Sequence, residues 1–217
     1  MRQRMTGILR HLFFLLLVRP LVFVVLGLNV RHGARLPRRG PAIVVANHNS
    51  HLDTAVLMTL FPQRRLEDVR PVAAADYFLK NRWLAWFATR IIGIIPLERG
   101  RRAGAGDPLA GCDAALGDGR ILILYPEGSR GEPEQLVDFK SGIAHLAKRH
   151  PEVPVVPVFL HGLGKALPKG EAVLVPFFCD VFVGEALAWT GARASFMAAL
   201  DTAMGDLAAE GHFPPWE

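Results

Sequence analysis

Acidic residues are missing from the first 52 positions of this 217-residue chain; the first is Asp53. Over residues 1–39 the charges are eight arginines: Arg2, Arg4, Arg10, Arg19, Arg31, Arg35, Arg38 and Arg39. A basic segment mixed with leucine and phenylalanine fits an anionic bilayer surface, so membrane lipids are the first expected partner. The remaining residues are slightly acidic, with 17 basic against 20 acidic side chains. They carry no recognisable nucleic-acid module, which argues against nucleic acid. Cysteine is equally scarce. Cys112 and Cys179 lie far apart with no CxxC or zinc spacing, and read as two reduced thiols in a cytosol-facing protein. No GxSxG stretch occurs, which disfavours a serine-hydrolase nucleophile elbow. No small-residue cleavage site follows the apolar N-terminal run, so it does not read as a signal peptide. Internal repeats and low-complexity tracts are missing as well.

What the chain does have is apolar surface to bury. It is 51% hydrophobic, with a mean hydropathy of +0.24, and its length suits one domain with a full core. The excess is concentrated in "LFFLLLVRPLVFVVLGL" (12–28). Arg19-Pro20 interrupts that run, and a mid-helix arginine costs roughly 3 kcal/mol on insertion into a bilayer. Pro20 suits the first turn of a second helix. The expectation is a pair of short helices lying in the membrane interface, with a full span and packing on the protein's own core left open as alternatives. Residues 1–39 then form a basic anchor and connector, and 40–217 the main domain, on the cytoplasmic face of the cell membrane.

Short apolar, β-branched stretches recur at 42–46, 71–75, 93–97, 121–125, 153–160 and 172–183. Helical periodicity separates them at about 52–60, 78–91, 107–117, 139–149 and 192–209. This alternation predicts an α/β fold. Pro96, Pro154, Pro157 and Pro176 lie in or beside strands, so a mixed β-sheet flanked by helices is expected rather than a plain parallel one.

The first strand ends in "NHNSHLDT" (47–54), at the carboxyl end of a strand, where open α/β sheets place ligands. Three readings are open there. Ser50 and Asp53 match a helix-capping box and nothing more. Alternatively, Asp53 folds back to hold one ring nitrogen of His48, leaving the other as a general base. A metal site of His48, His51 and Asp53 is the third, and no distant ligand cluster completes it. "GIIPLERG" (93–100) and "YPEGSR" (125–130) each end a strand in charged residues, and Arg130 offers a fork that matches a phosphate. The cluster "ERGRR" (98–102) suits phosphates, an acidic carrier or solvent equally.

These blocks together resemble the glycerolipid acyltransferases of the lysophosphatidic acid acyltransferase type. The family's first block, asparagine-histidine, four residues, aspartate, is matched by Asn47, His48 and Asp53. Its second is matched by Gly93, Pro96, Glu98 and Arg99; its third by Tyr125 through Arg130, followed by Phe139-Lys140; its fourth by the strand around Pro157. The resemblance implies transfer of a fatty acyl group from acyl-CoA or acyl carrier protein to a lysophospholipid hydroxyl, giving phosphatidic acid from 1-acyl-glycerol-3-phosphate. No metal and no other cofactor is implied. His48 would be the base and Asp53 its orienting partner, while Arg99, Glu127, Gly128, Ser129 and Arg130 would hold the acceptor. Two positions depart from the family. Asp76 stands where many members carry lysine, with Lys80 or Arg82 as candidate substitutes, and Gly131 stands where serine is common. Both leave room for another acceptor, such as a lyso-aminolipid.

Overall fold

The computed structural model describes residues 2–50, 52–78, 81–98, 106–128, 137–167 and 175–213. Seven strands form one mixed sheet: β1 (Leu28–Arg31), β2 (Ala42–Ala46), β3 (Val69–Ala74), β4 (Ile95–Leu97), β5 (Ile121–Leu124), β6 (Val155–His161) and β7 (Cys179–Val183). Their order is β1-β7-β6-β2-β5-β3-β4, parallel throughout except where β7 meets β6 antiparallel. β2 occupies the centre, and all five of its residues are buried. Burial on both faces explains its unbroken apolar run.

Helices cover both faces. On one side, α1 (residues 2–25) and α2 (Leu52–Thr59) pack on Val44, Ala46, Ile123, Val158 and Val181. On the other, α4 (Ala110–Gly117), α5 (Gly142–Arg149) and α6 (Arg193–Glu210) cover Ile43, Val45, Leu122, Phe159 and Phe182. Helix α3 (residues 82–92) lies beside α1, joined by an edge-to-face contact of Phe13 and Phe87 at 5.2 Å.

The structure corrects one expectation at the N-terminus. The helical pair is a single helix, because the chain passes through Arg19 and Pro20 in helical conformation. Pro20 lacks a donor and crowds the preceding turn, and the helix widens to π winding at Phe14–Val18 and Leu21–Val25 on either side of it. Arg19 is accommodated because its guanidinium turns onto the body, donating to the carbonyls of Thr59 (3.3 Å) and Phe61 (2.8 Å) at and just past the end of α2.

The same helix also contributes to the core. Phe14, Val18, Val22 and Leu26, spaced by four, form a fully or nearly buried stripe in the main core. At about 1.5–3 kcal/mol for each buried side chain, the stripe contributes roughly 6–12 kcal/mol, comparable to the whole stability of a typical domain. Strand β1, which lies within the segment read as anchor and connector, is an edge of the same sheet. Removing residues 1–30 would take away core and sheet together, so a truncated chain is expected not to fold. The outer face of α1 is exposed and apolar, with Leu16 at 70% and Val24 at 81% accessibility. Trp83 of α3, at 81%, adds to the apolar surface. The 21 residues Met5–Val25 are long and apolar enough to cross a membrane. Yet α1 is joined lengthwise to the body: buried Arg10 donates to Val69 O at 3.0 Å, and the core stripe lies beyond it. Such a helix associates with a bilayer through one face.

Candidate active site

The polar turn sits where β2 ends and α2 begins. Asn47 fastens its base: the side-chain amide donates to Leu160 O (2.8 Å) and its oxygen accepts from Leu160 N–H (2.7 Å). A buried side chain thus continues the β2–β6 ladder past the last backbone pair. That fixes where residue 48 leaves the sheet.

One oxygen organises the rest of the turn. Asp53 Oδ2 accepts from His48 Nδ1 at 2.8 Å, from Asn49 N–H at 2.7 Å and from Ser50 N–H at 2.9 Å. The carboxylate is 0% exposed and the His48 side chain 21%. Ser50 accepts from Leu52 N–H (3.3 Å) and donates to Leu167 O (3.0 Å), so it caps α2 and ties the turn to the segment after β6. The capping and base-orienting readings are therefore not rivals, because the same Asp53 oxygen serves both. When Nδ1–H donates to Asp53, Nε2 is the nitrogen left to accept a proton. It has no protein partner among the described residues.

Tyr125 holds the imidazole from the side. The two rings stack at 4.1 Å between centroids and 20° between planes. The phenol reaches Thr54 Oγ1 at 2.9 Å, tying the end of β5 to the first turn of α2. Sequence reading places Tyr125 in a block without giving it this task. Its aromatic character beside a strand end is the only signal.

Beyond Tyr125 the chain turns back, with Gly128 N–H donating to Tyr125 O at 3.0 Å. Gly128 has φ +73°, so glycine is favoured by conformation, and the Lys140 side chain lies close against it. Lys140 is held against the turn by its own N–H, which donates to Pro126 O at 2.9 Å. Glu127 is buried, and neither of its oxygens has a partner in hydrogen-bond geometry among the described residues. Burial raises its carboxyl to about 7; the nearby His48 amide opposes the shift and the Asp53 charge adds to it. A carboxyl that keeps its proton up to about neutral pH can donate as well as accept.

Of the expected site residues, His48, Asp53, Glu127 and Gly128 thus meet at the ends of β2 and β5. Glu98 is exposed at the end of edge strand β4, three strands from β2. Asp76 is exposed in a short helical turn after β3. His51, Lys80, Arg99, Ser129, Arg130 and Gly131 lie outside the described residues.

The arrangement can deprotonate a hydroxyl, and comparison with known proteins gives it a context. A family model described as Acyltransferase matches residues 27–161, more than half of the chain. The chain belongs to the acyltransferase family. Among the relatives of this family member is the chloroplast 1-acyl-sn-glycerol-3-phosphate acyltransferase BAT2 of Brassica napus, 30% identical over 131 residues, covering 60% of this chain and 36% of that protein. The lyso-ornithine lipid O-acyltransferase of Rhizobium meliloti is 31% identical over 120 residues, covering 55% and 38%. The chain therefore spans little more than a third of the length of these two curated relatives. Its fold matches the crystal structure of the 1-acyl-sn-glycerophosphate acyltransferase PlsC from Thermotoga maritima. There the TM-score is 0.76 over 99% of this chain and 83% of that one, at 19% identity.

Proposed function

We propose that this acyltransferase-family chain is a membrane-associated O-acyltransferase that moves a fatty acyl group from acyl-CoA or acyl carrier protein to 1-acyl-glycerol-3-phosphate. The observation that carries the reading is His48, with Nδ1 committed to a buried carboxylate and Nε2 open at the carboxyl edge of the sheet. Nε2 takes the proton from the acceptor hydroxyl as its oxygen attacks the thioester carbonyl. The tetrahedral oxyanion collapses, the C–S bond breaks, and the imidazolium returns its proton to the leaving thiolate. Backbone amides stabilise the oxyanion. Glu127, with neither oxygen partnered in hydrogen-bond geometry among the described residues, faces the acceptor's glycerol. Arg99, Ser129 and Arg130 complete the acceptor site in this reading. Residues 1–39 serve as the membrane-binding part and 40–217 as the catalytic part, although the two share one core. The buried thiols of Cys112 and Cys179, which form no disulfide with each other, suit the cytoplasmic face.

The test is lipid mass spectrometry on pure protein given a panel of lysolipids and both acyl donors. Phosphatidic acid from lysophosphatidate is the expected product. A second reading, acylation of a lyso-aminolipid, is favoured by acidic Asp76 where many relatives carry lysine and by the lyso-ornithine relative. Arg130→Lys separates the two. With a phosphate-bearing acceptor, losing one charge-assisted fork lowers kcat/KM by roughly 10- to 150-fold, chiefly through acceptor KM. With a phosphate-free acceptor that asymmetry vanishes, and acylation of the lyso-aminolipid alone would replace the leading reading.

A further inference from the structure

At the far end of α2 the chain forms a cleft of about 480 Å³ between residues 33–39 and 60–65. Its walls carry Arg38 and Arg39 on one side and Arg64 and Arg65 on the other. Arg65 is neutralised by Asp68 at 2.9 Å, whereas Arg38, Arg39 and Arg64 have no ion pair among the described residues. Apolar side chains, Leu36, Leu60 and Phe61, line the space between them. From this juxtaposition we propose that the cleft is a binding site for the phosphate headgroup of an anionic membrane phospholipid, separate from the catalytic turn.

Three observations favour a lipid over a free phosphate compound. The cleft is amphipathic, which suits a headgroup with the start of its glycerol ester chains. Its wall is joined to the membrane-facing helix, because Arg19 of α1 donates to Phe61 O at 2.8 Å. Phe23, exposed on α1, lies 6.0 Å from the Arg19 guanidinium, so lipid chains leaving the cleft meet an apolar helix face. The site also stands away from the chemistry. The eight residues of α2, roughly 12 Å of helix, separate it from His48. The basic connector noted in the sequence thereby acquires partners from a second loop, roughly 25 residues onward, brought beside it by the fold.

The inference does not rest on acyl transfer, and its test needs none. The intact protein is mixed with phosphatidylcholine vesicles, with or without phosphatidylglycerol, and bound protein is separated by flotation. Each basic residue near an anionic leaflet strengthens binding about fivefold, so Arg39→Gln with Arg64→Gln should weaken binding to anionic vesicles roughly 25-fold. Binding to neutral vesicles should not change. A charge-matched control, Lys148→Gln with Arg193→Gln on the opposite layer, should alter neither by more than about twofold. Equal losses in both double variants would mean diffuse charge rather than a site, and would overturn the proposal. So would unchanged vesicle binding in the cleft variant. Restoration by Arg39→Lys with Arg64→Lys to full wild-type affinity would remove the planar fork from the proposal, reducing the cleft to unspecific charge and overturning it as a phosphate site.

Discussion

The two ends of helix α2 present opposite solutions to the same problem of unsatisfied backbone. At its start, three donors converge on one oxygen of Asp53, and Ser50 closes the first turn. At its finish, the last carbonyls are met by Arg19 from another helix, and the surrounding arginines face an open cleft. Both ends obey the helix dipole, with an acid in the first turn and cations near the last. They differ in what is left over. The first end leaves the outer ring nitrogen of His48 open, with Asp53 Oδ1 and the Asn49 side-chain amide buried and unpartnered among the described residues beside it, which suits the base proposed above. The second keeps three arginines without ion pairs among the described residues, which is how charge is offered to something outside the protein.

Removing His48 breaks the comparison most severely. His48→Ala should lower turnover by at least about 100-fold while leaving the melting temperature and vesicle binding close to wild type. Turnover within a few-fold of wild type would take the base away from this turn. The arginine variants of the cleft should do the reverse when lysolipid is supplied in detergent micelles: normal turnover, weakened attachment.

Glu127 sharpens the first half of the contrast. Its carboxyl lies at about 7 in the folded protein against an ordinary value of 4.5. Between those values the unfolded chain has released the proton and the folded one has kept it, so stability falls as pH rises through that window and is level above it. The shift corresponds to roughly 3 kcal/mol as an upper bound. Glu127→Gln should lack this decline, so denaturant unfolding at pH 4.5 and pH 8 should show the variant gaining on wild type at the higher pH. Parallel behaviour of the two proteins would mean that the carboxyl ionises normally.

The smallest effect belongs to Tyr125. Tyr125→Phe keeps the ring on His48 and removes the hydroxyl bond to Thr54, at about 1 kcal/mol, or 2–4 °C in Tm for a chain of this size. Turnover should change only a few-fold. A loss as large as that of His48→Ala would show that the phenol, rather than the stacked ring, positions the imidazole.

Much of this architecture is legible in the chain because it is local. Strand β2, helix α2 and the Asp53-to-His48 reach lie within the consecutive stretch Ala42–Thr59, and apolar runs bounded by turn chemistry mark β5 and β6. What escapes depends on distant partners. Strand β1 is four half-polar residues whose only reason to be extended is β7, some 150 positions later. Asn47 reads as a turn residue until Leu160, 113 positions away, supplies both of its hydrogen bonds. Pro20 marks a break by every local rule, and the helix continues because a four-spaced stripe on the core outweighs the lost donor. The acceptor-binding half of the site, Arg99 with Ser129 and Arg130, rests on sequence alone.

The burial pattern of α1 also has a practical meaning for handling the protein. Its inner residues hold the core and its outer ones do not, so the two can be changed independently. Repainting positions such as Leu16 and Val24 with glutamate or glutamine, while keeping Phe14, Val18, Val22 and Leu26, should give a detergent-free protein that still folds. Truncation, the usual route to that end, would discard the scaffold along with the grease.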